Sequence, residues 1–219
     1  KLDKVVLARA VDIEFPEAID PRLVAARLID LSANRDGFIA DLSPAGRPGA
    51  MLVGSSPEVL VKRQGSTVSA FPLAGSSPRR ASAAEDHIAG QDLLHSAKDL
   101  HEHSFVVEHL RRVLSPLCER LDIPDAPQLI STNEMWHLGT PIAGTLKNPD
   151  MTALELAELV YPTPAICGTP TEAAQALIET AETDRGFYAG AVGWCDSSGD
   201  GEYMVAIRCA EVAGDGLSA

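Results

Sequence analysis

Residues 49 to 75, "GAMLVGSSPEVLVKRQGSTVSAFPLAG", are a succession of short β-prone runs, each closed by Gly, Ser or Pro. The Gly-Ser turn near Gly65 joins two of these runs as a hairpin, and a hairpin sets its strands antiparallel. "GFIADL" just before them continues the pattern. The closing stretch Gly186–Val212, "GFYAGAVGWCDSSGDGEYMVAIRCAEV", folds back around Ser-Ser-Gly-Asp-Gly in the same way. Strands thus arrive in runs, with helical tracts between the clusters. The expected class is α+β with a mostly antiparallel sheet.

The helical tracts carry their own punctuation. "DPRLVAARLIDLSAN" (Asp20–Asn34) opens on an Asp cap with Pro in the first turn. From Ala83 to Leu121 the pattern is helical, and Val106, Leu110, Val113, Leu114, Leu117 and Leu121 form a stripe at three- and four-residue steps. "TALELAELVYPTPA" and "TPTEAAQALIETAE" also read as helices, the second with a Thr-Pro-Thr-Glu start. Lys4–Phe15, "PQLIST" and "MWHLGTPIAGTL" read as strands. No linker rich in Pro, Gly or Ser divides the 219 residues, so one domain over 1–219 is expected.

Composition narrows the function. The formal net charge is −13, which argues against a nucleic-acid partner. An anionic small molecule would be repelled by the chain as a whole and would need local cations or a metal. No apolar run approaches the roughly 18 residues of a membrane helix, so no membrane partner is expected. The four cysteines (Cys118, Cys167, Cys195, Cys209) form no Cys-x-x-Cys pair, as in a cytoplasmic protein with reduced thiols. "DSSGDGE" places Asp196, Ser198 and Asp200 like a calcium loop, but position twelve is Ile207 where the loop needs Glu. It is read as a turn.

Several ionisable residues interrupt apolar patterns. Arg208 falls in step with Met204 and Ala206 on what reads as a strand face of small apolar residues. Lys4 shares a strand face with Val6, Ala8 and Ala10; it either faces solvent or, if buried, has a lowered pKa suited to a base. Glu102 lies on the face of Val106 and Leu110, as a helix-end carboxylate or as a metal ligand. Its neighbours His101 and His103 point about 200° apart on a helix, so "HEH" is no zinc cluster. Glu58, in "GSSPE", needs no function as a turn carboxylate. His137, between Trp136 and Leu138, is a core histidine or a hydrogen-bond donor to a ligand.

These residues lie in blocks that resemble the chorismate-utilising enzymes: "KVVLAR", "GSSPEVLVKRQGSTVSAFPLAGS", "SAKDLHEH", "WHLGTPIAGTL", "YPTPAICGTP" and "DRGFYAGAVGWCDSSGDGEYMVAIRCA". They follow the family's order and cover nearly the whole chain. The resemblance is strongest to isochorismate synthases of catechol-siderophore pathways, with the menaquinone type near. It implies antiparallel sheets packed as a β-sandwich with helices outside, around a cleft for chorismate and Mg²⁺. It implies Lys4 as the general base for water, Glu58 as the general acid for the departing hydroxyl, and Glu102 as a Mg²⁺ ligand. Ala74, Gly75 and Ser76 would line the site, His137 the ring region, and Arg208, beside Ile207, would bind a substrate carboxylate. A lysine at position 4 implies water rather than ammonia as nucleophile, hence no glutaminase subunit. The resemblance also implies that family segments lie beyond both ends of this chain, among them a second glutamate-bearing Mg²⁺ motif. Salicylate synthase and a non-catalytic chorismate-binding homologue are the alternative readings.

Overall fold

A computed structural model describes residues 1–32, 36–214 and 216–218. In chain order its strands and helices are β1 (Lys4–Val5), β2 (Asp12–Glu14), α1 (Pro21–Leu31), β3 (Phe38–Asp41), β4 (Met51–Gly54), β5 (Val59–Gln64), β6 (Thr67–Phe71) and β7 (Leu73–Pro78). There follow α2 (Ala83–His95), α3 (Ala97–Leu114), β8 (Cys118–Asp122), β9 (Gln128–Ser131), β10 (Met135–Gly139) and β11 (Ile142–Leu146). The chain closes with α4 (Ala153–Val160), β12 (Gly168–Thr169), α5 (Thr171–Ala181), β13 (Ala191–Cys195), β14 (Gly201–Val205), β15 (Cys209–Ala213) and β16 (Gly216–Ser218). The strand pairs described are all antiparallel, and the class is α+β.

Two large sheets carry the fold: a six-stranded one ordered β13-β14-β5-β6-β11-β8 and a five-stranded one ordered β2-β16-β15-β4-β3. A three-stranded sheet, β7-β10-β9, and the small pair β1-β12 complete the strands. The main core lies between the six-stranded sheet and α3 and α4. Leu60, Val61, Val68 and Ala70 face Val106, Leu110 and Leu114 of α3 and Leu156 and Val160 of α4. A smaller core sets Ala25 of α1 against Val53, Ala210 and Val212 of the five-stranded sheet.

Local chemistry sets the helix ends, and several of them differ from expectation. Asp20 caps α1 by accepting the Arg22 N–H, with Pro21 at its start. The helix ends at Leu31, and Asn34 lies outside the described residues. The helical tract from Ala83 breaks at Ser96, whose hydroxyl accepts the Asp99 N–H and restarts the chain as α3. α3 stops at Leu114; Pro116 cannot extend it, and Leu121 lies on strand β8 rather than on the helical stripe. α4 ends at Val160, before the Tyr161-Pro162 step, and holds the capping box, Thr152 with Glu155. α5 starts after Pro170 without a side-chain cap, so Thr-Pro-Thr-Glu makes no capping box. "MWHLGTPIAGTL" is two strands, not one: β10 and β11 belong to different sheets, and Thr140-Pro141 turns the chain between them.

Candidate active site

β4 passes into β5 through Ser55–Glu58, and β14 passes into β15 through Ala206–Arg208. β4 pairs with β15 and β5 with β14, so the two crossings between the large sheets lie side by side. They are tied at both ends: the Ser55 N–H donates to the Arg208 carbonyl and the Val205 N–H to the Glu58 carbonyl, each at 3.1 Å. This joint puts Glu58 and Arg208 beside one cavity of about 640 Å³.

The joint also corrects the reading of Arg208. β14 ends at Val205, so Arg208 is not on a strand face with Met204 and Ala206. Its φ is +49°, a left-handed conformation that side chains of this size rarely adopt. That kink turns the guanidinium out of the ladder. Lys4 is corrected in the same way. Lys4–Phe15 is not one strand; β1 ends at Val5, and no shared face runs from Lys4 through Val6, Ala8 and Ala10. Lys4 is nevertheless half-buried at the cavity, because β1 pairs with β12.

All nine residues singled out from the sequence (Lys4, Glu58, Ala74, Gly75, Ser76, Glu102, His137, Ile207 and Arg208) line this single cavity. Glu58 is 4% exposed, not the surface carboxylate its turn motif allows. Burial pushes its pKa up to about 7, with the Leu73 N–H and the Lys4 charge pulling partway back. Burial likewise lowers the Lys4 pKa; Glu102 and Glu58 oppose this and Lys98 adds to it. Both groups are thereby moved toward their neutral forms.

His137 lies opposite Ser76 across the β7–β10 pair. Its Nδ1 is 2.7 Å from Ser76 Oγ and its Nε2 is 2.8 Å from an Arg208 terminal nitrogen. Arginine can only donate, so Nε2 accepts and the proton resides on Nδ1, which donates to Ser76. The ring is therefore a neutral link between Arg208 and Ser76, and burial, with the Arg208 charge, lowers its pKa to about 4. Arg208 has no carboxylate within salt-bridge distance among the described residues. Its one side-chain partner there is a neutral ring, which leaves its charge available to an anion.

Glu102, on α3, pairs with Lys98 at 3.2 Å and is a third exposed. A carboxylate of this kind is a hard oxygen donor suited to Mg²⁺, which keeps several waters and takes one or two carboxylates besides a ligand anion. Among the described residues no group of three or more His, Cys, Asp or Glu side chains closes around a metal. The fit is that of a single ligand, not of a cage.

Residues that sequence reasoning passed over complete the setting. Lys98, Asp99, Arg185 and Tyr188 also line the cavity. His103, set aside with "HEH", is 2% exposed; its Nδ1 donates to the Ala74 carbonyl at 3.0 Å and its Nε2 meets Thr140 Oγ1 at 2.7 Å. It thus ties α3 to β7 next to Gly75, whose φ of +84° lets the strand bend along the cavity. Position on α3 next to Glu102 was the one available signal for it.

A sequence model of the family described as "Chorismate binding enzyme" matches residues 1–218. A Mycobacterium tuberculosis protein named MenF is 50% identical over 216 residues, which are 98% of this chain and 58% of that protein. Isochorismate synthase DhbC of Bacillus subtilis is 46% identical over 213 residues, 96% of this chain and 54% of the relative. The crystal structure of a DhbC from Bacillus anthracis superimposes with a TM-score of 0.93 at 41% identity, covering 99% of this chain and 58% of the other. The chain spans little more than half the length of the relatives it matches. With a matching model over nearly every residue, the chain belongs to the chorismate-binding enzyme family.

Proposed function

We propose that the protein is an isochorismate synthase, which adds water at C2 of chorismate as the C4 hydroxyl leaves. The observation that carries this reading is one cavity holding an amine and a carboxyl group whose burial favours the neutral form of each, next to a guanidinium that has no carboxylate partner among the described residues. Neutral Lys4 takes the proton of the attacking water as the oxygen–C2 bond forms. Protonated Glu58 gives its proton to the C4 oxygen as that bond breaks, since hydroxide is a poor leaving group. One water enters and one leaves, so the reaction is an isomerisation. Afterwards Lys4 is charged and Glu58 ionised, and a return of the proton from one to the other resets the site.

Arg208 binds one substrate carboxylate, and its contact with His137 fixes the guanidinium. Ser76, which receives the His137 proton bond, is left with its own O–H to donate into the cavity. Ala74, Gly75 and Ile207 form the wall against the ring. Mg²⁺ would be held by Glu102 and the other substrate carboxylate, and it would neutralise charge that this acidic chain otherwise repels. Support from relatives comes from the name of the B. subtilis protein, an isochorismate synthase. We assign the product to catechol siderophore synthesis, on the likeness of the "GWCD", "GDGE" and "IRCA" blocks to that type. No helix among the described residues is long and apolar enough to cross a membrane.

The test is product analysis by chromatography after incubating the complete gene product with chorismate and Mg²⁺. Isochorismate, lost in Lys4→Ala and Glu58→Gln, is the expected outcome. Salicylate with pyruvate would replace the reading by salicylate synthase. Chorismate binding without turnover would replace it by a non-catalytic homologue.

A further inference from the structure

The proposed base stands on a lightly anchored stretch of chain. Among the described residues no side chain before Ala25 is buried, and Leu2, Leu7 and Val11 are exposed. Apolar burial therefore does little to fix Lys4. Its strand β1 has two residues and pairs with the equally short β12. Yet a base displaced by about 1 Å can lose about 10²-fold in rate. Some other interaction has to hold it.

Glu182, which ends α5, and Arg185 form an ion pair that the proposed chemistry does not use. The Arg185 Nε and a terminal nitrogen donate to the two Glu182 carboxylate oxygens at 2.7 and 2.8 Å. Their side chains are 17% and 8% exposed. Their other hydrogen bonds reach backbone next to Lys4. Arg185 donates to the carbonyls of Val6 at 2.7 Å and Ile166 at 2.8 Å, and Glu182 accepts the Ala8 N–H at 2.6 Å. The fork thus bridges the segment after β1 to the segment before β12. The Val6 N–H donates to Cys167 and the Asp3 N–H to Thr169, so the segment is held on both sides of Lys4. Gly168 lets the two backbones close up: a Cβ there would lie 2.2 Å from the Lys4 carbonyl oxygen.

We propose that Glu182 and Arg185 are positioning residues, a charged clamp on Val6–Ala8 that keeps the Lys4 amine in the cavity. The proposal rests on the reading of Lys4 as the base. Arg185 also lines the cavity, so direct contact with substrate is the rival role; Glu182 is not among the lining residues, and this separates the two.

The experiment uses Arg185→Met, Glu182→Ala and the double variant of the complete gene product, with amide hydrogen exchange and steady-state kinetics on chorismate. The clamp predicts exchange about tenfold faster or more at Val6 and Ala8, with the Leu60 and Val61 amides unchanged. It predicts kcat lower by about 10²-fold with KM within about threefold. It also predicts a double variant no worse than the poorer single one. Unchanged exchange at Val6 in Arg185→Met overturns it. So do faster exchange throughout the core, which marks a general structural role, and additive losses confined to KM, which mark a substrate ligand. Exchange is read without substrate. A wild-type protein that makes no isochorismate would therefore remove the isochorismate reading, and Val6 and Ala8 would still decide on the clamp.

Discussion

The acid role proposed for Glu58 draws on the same burial that makes its ionisation costly. Its folded pKa of about 7 lies above the usual 4.5, so the folded state binds the proton more tightly than the unfolded one. The stability this contributes is complete below about pH 4.5 and is lost as pH rises through about 7. The expected difference at pH 8 is about 3 kcal/mol. Glu58→Gln should accordingly raise the urea midpoint at pH 8 but not at pH 4, while lowering kcat by about 10²–10⁴-fold. His137 runs the other way: its pKa of about 4 is below the ordinary 6.5, so stability rises as pH increases between those values. At Arg208 two variants separate side chain from backbone. Arg208→Ala and Arg208→Gly should both raise the KM for chorismate by about tenfold or more, as expected for a lost charge-assisted bond. Only the glycine relieves the left-handed backbone, and it should unfold at higher denaturant than the alanine variant.

α3 illustrates what periodicity can and cannot disclose. Val106, Leu110 and Leu114 of the leucine stripe are buried in the main core as the spacing requires. Leu110→Ala should cost about 2–5 kcal/mol in chemical unfolding, because its side chain is 1% exposed and leaves a cavity. Leu121 fits the same spacing but sits on β8, partly buried, and its alanine variant should cost clearly less. A three-to-four-residue rhythm continues through a proline by chance; the helix does not. The sequence likewise disclosed ionisable residues in apolar surroundings, and Lys4, Glu58, Glu102, His137 and Arg208 converge on one cavity with Ala74, Gly75, Ser76 and Ile207, which the family resemblance had added. It did not disclose how they get there. The positive φ of Arg208 is set by the crossing between sheets, and the partners of His103, Glu182 and Arg185 include backbone carbonyls and N–H groups far along the chain. Backbone partners leave no mark in residue type, so such positioning groups escape a reading based on side chains.

The molecule as a whole carries a charge of −13, and its cavity answers that with Lys98, Arg185 and Arg208, while burial moves Lys4 toward the neutral amine. Lys98 and Arg185 are paired with Glu102 and Glu182, so the local surplus is smaller than the count of cations. A bound divalent ion would redress this. Removal of divalent cations by a chelator should abolish turnover and Mg²⁺ should restore it. Glu102→Gln should raise the half-saturating Mg²⁺ by about tenfold or more, measured by titrating activity. The paired crossings at Ser55–Glu58 and Ala206–Arg208 have a consequence for motion. Glu58 and Arg208, the proposed proton donor and anion anchor, spring from two adjacent rungs of one backbone joint, so the spacing of their backbones is set before any ligand arrives. If the pocket tightens around its guest, the movement is expected at the wall bearing Glu102, since backbone bonds hold the joint and the proposed clamp holds Lys4.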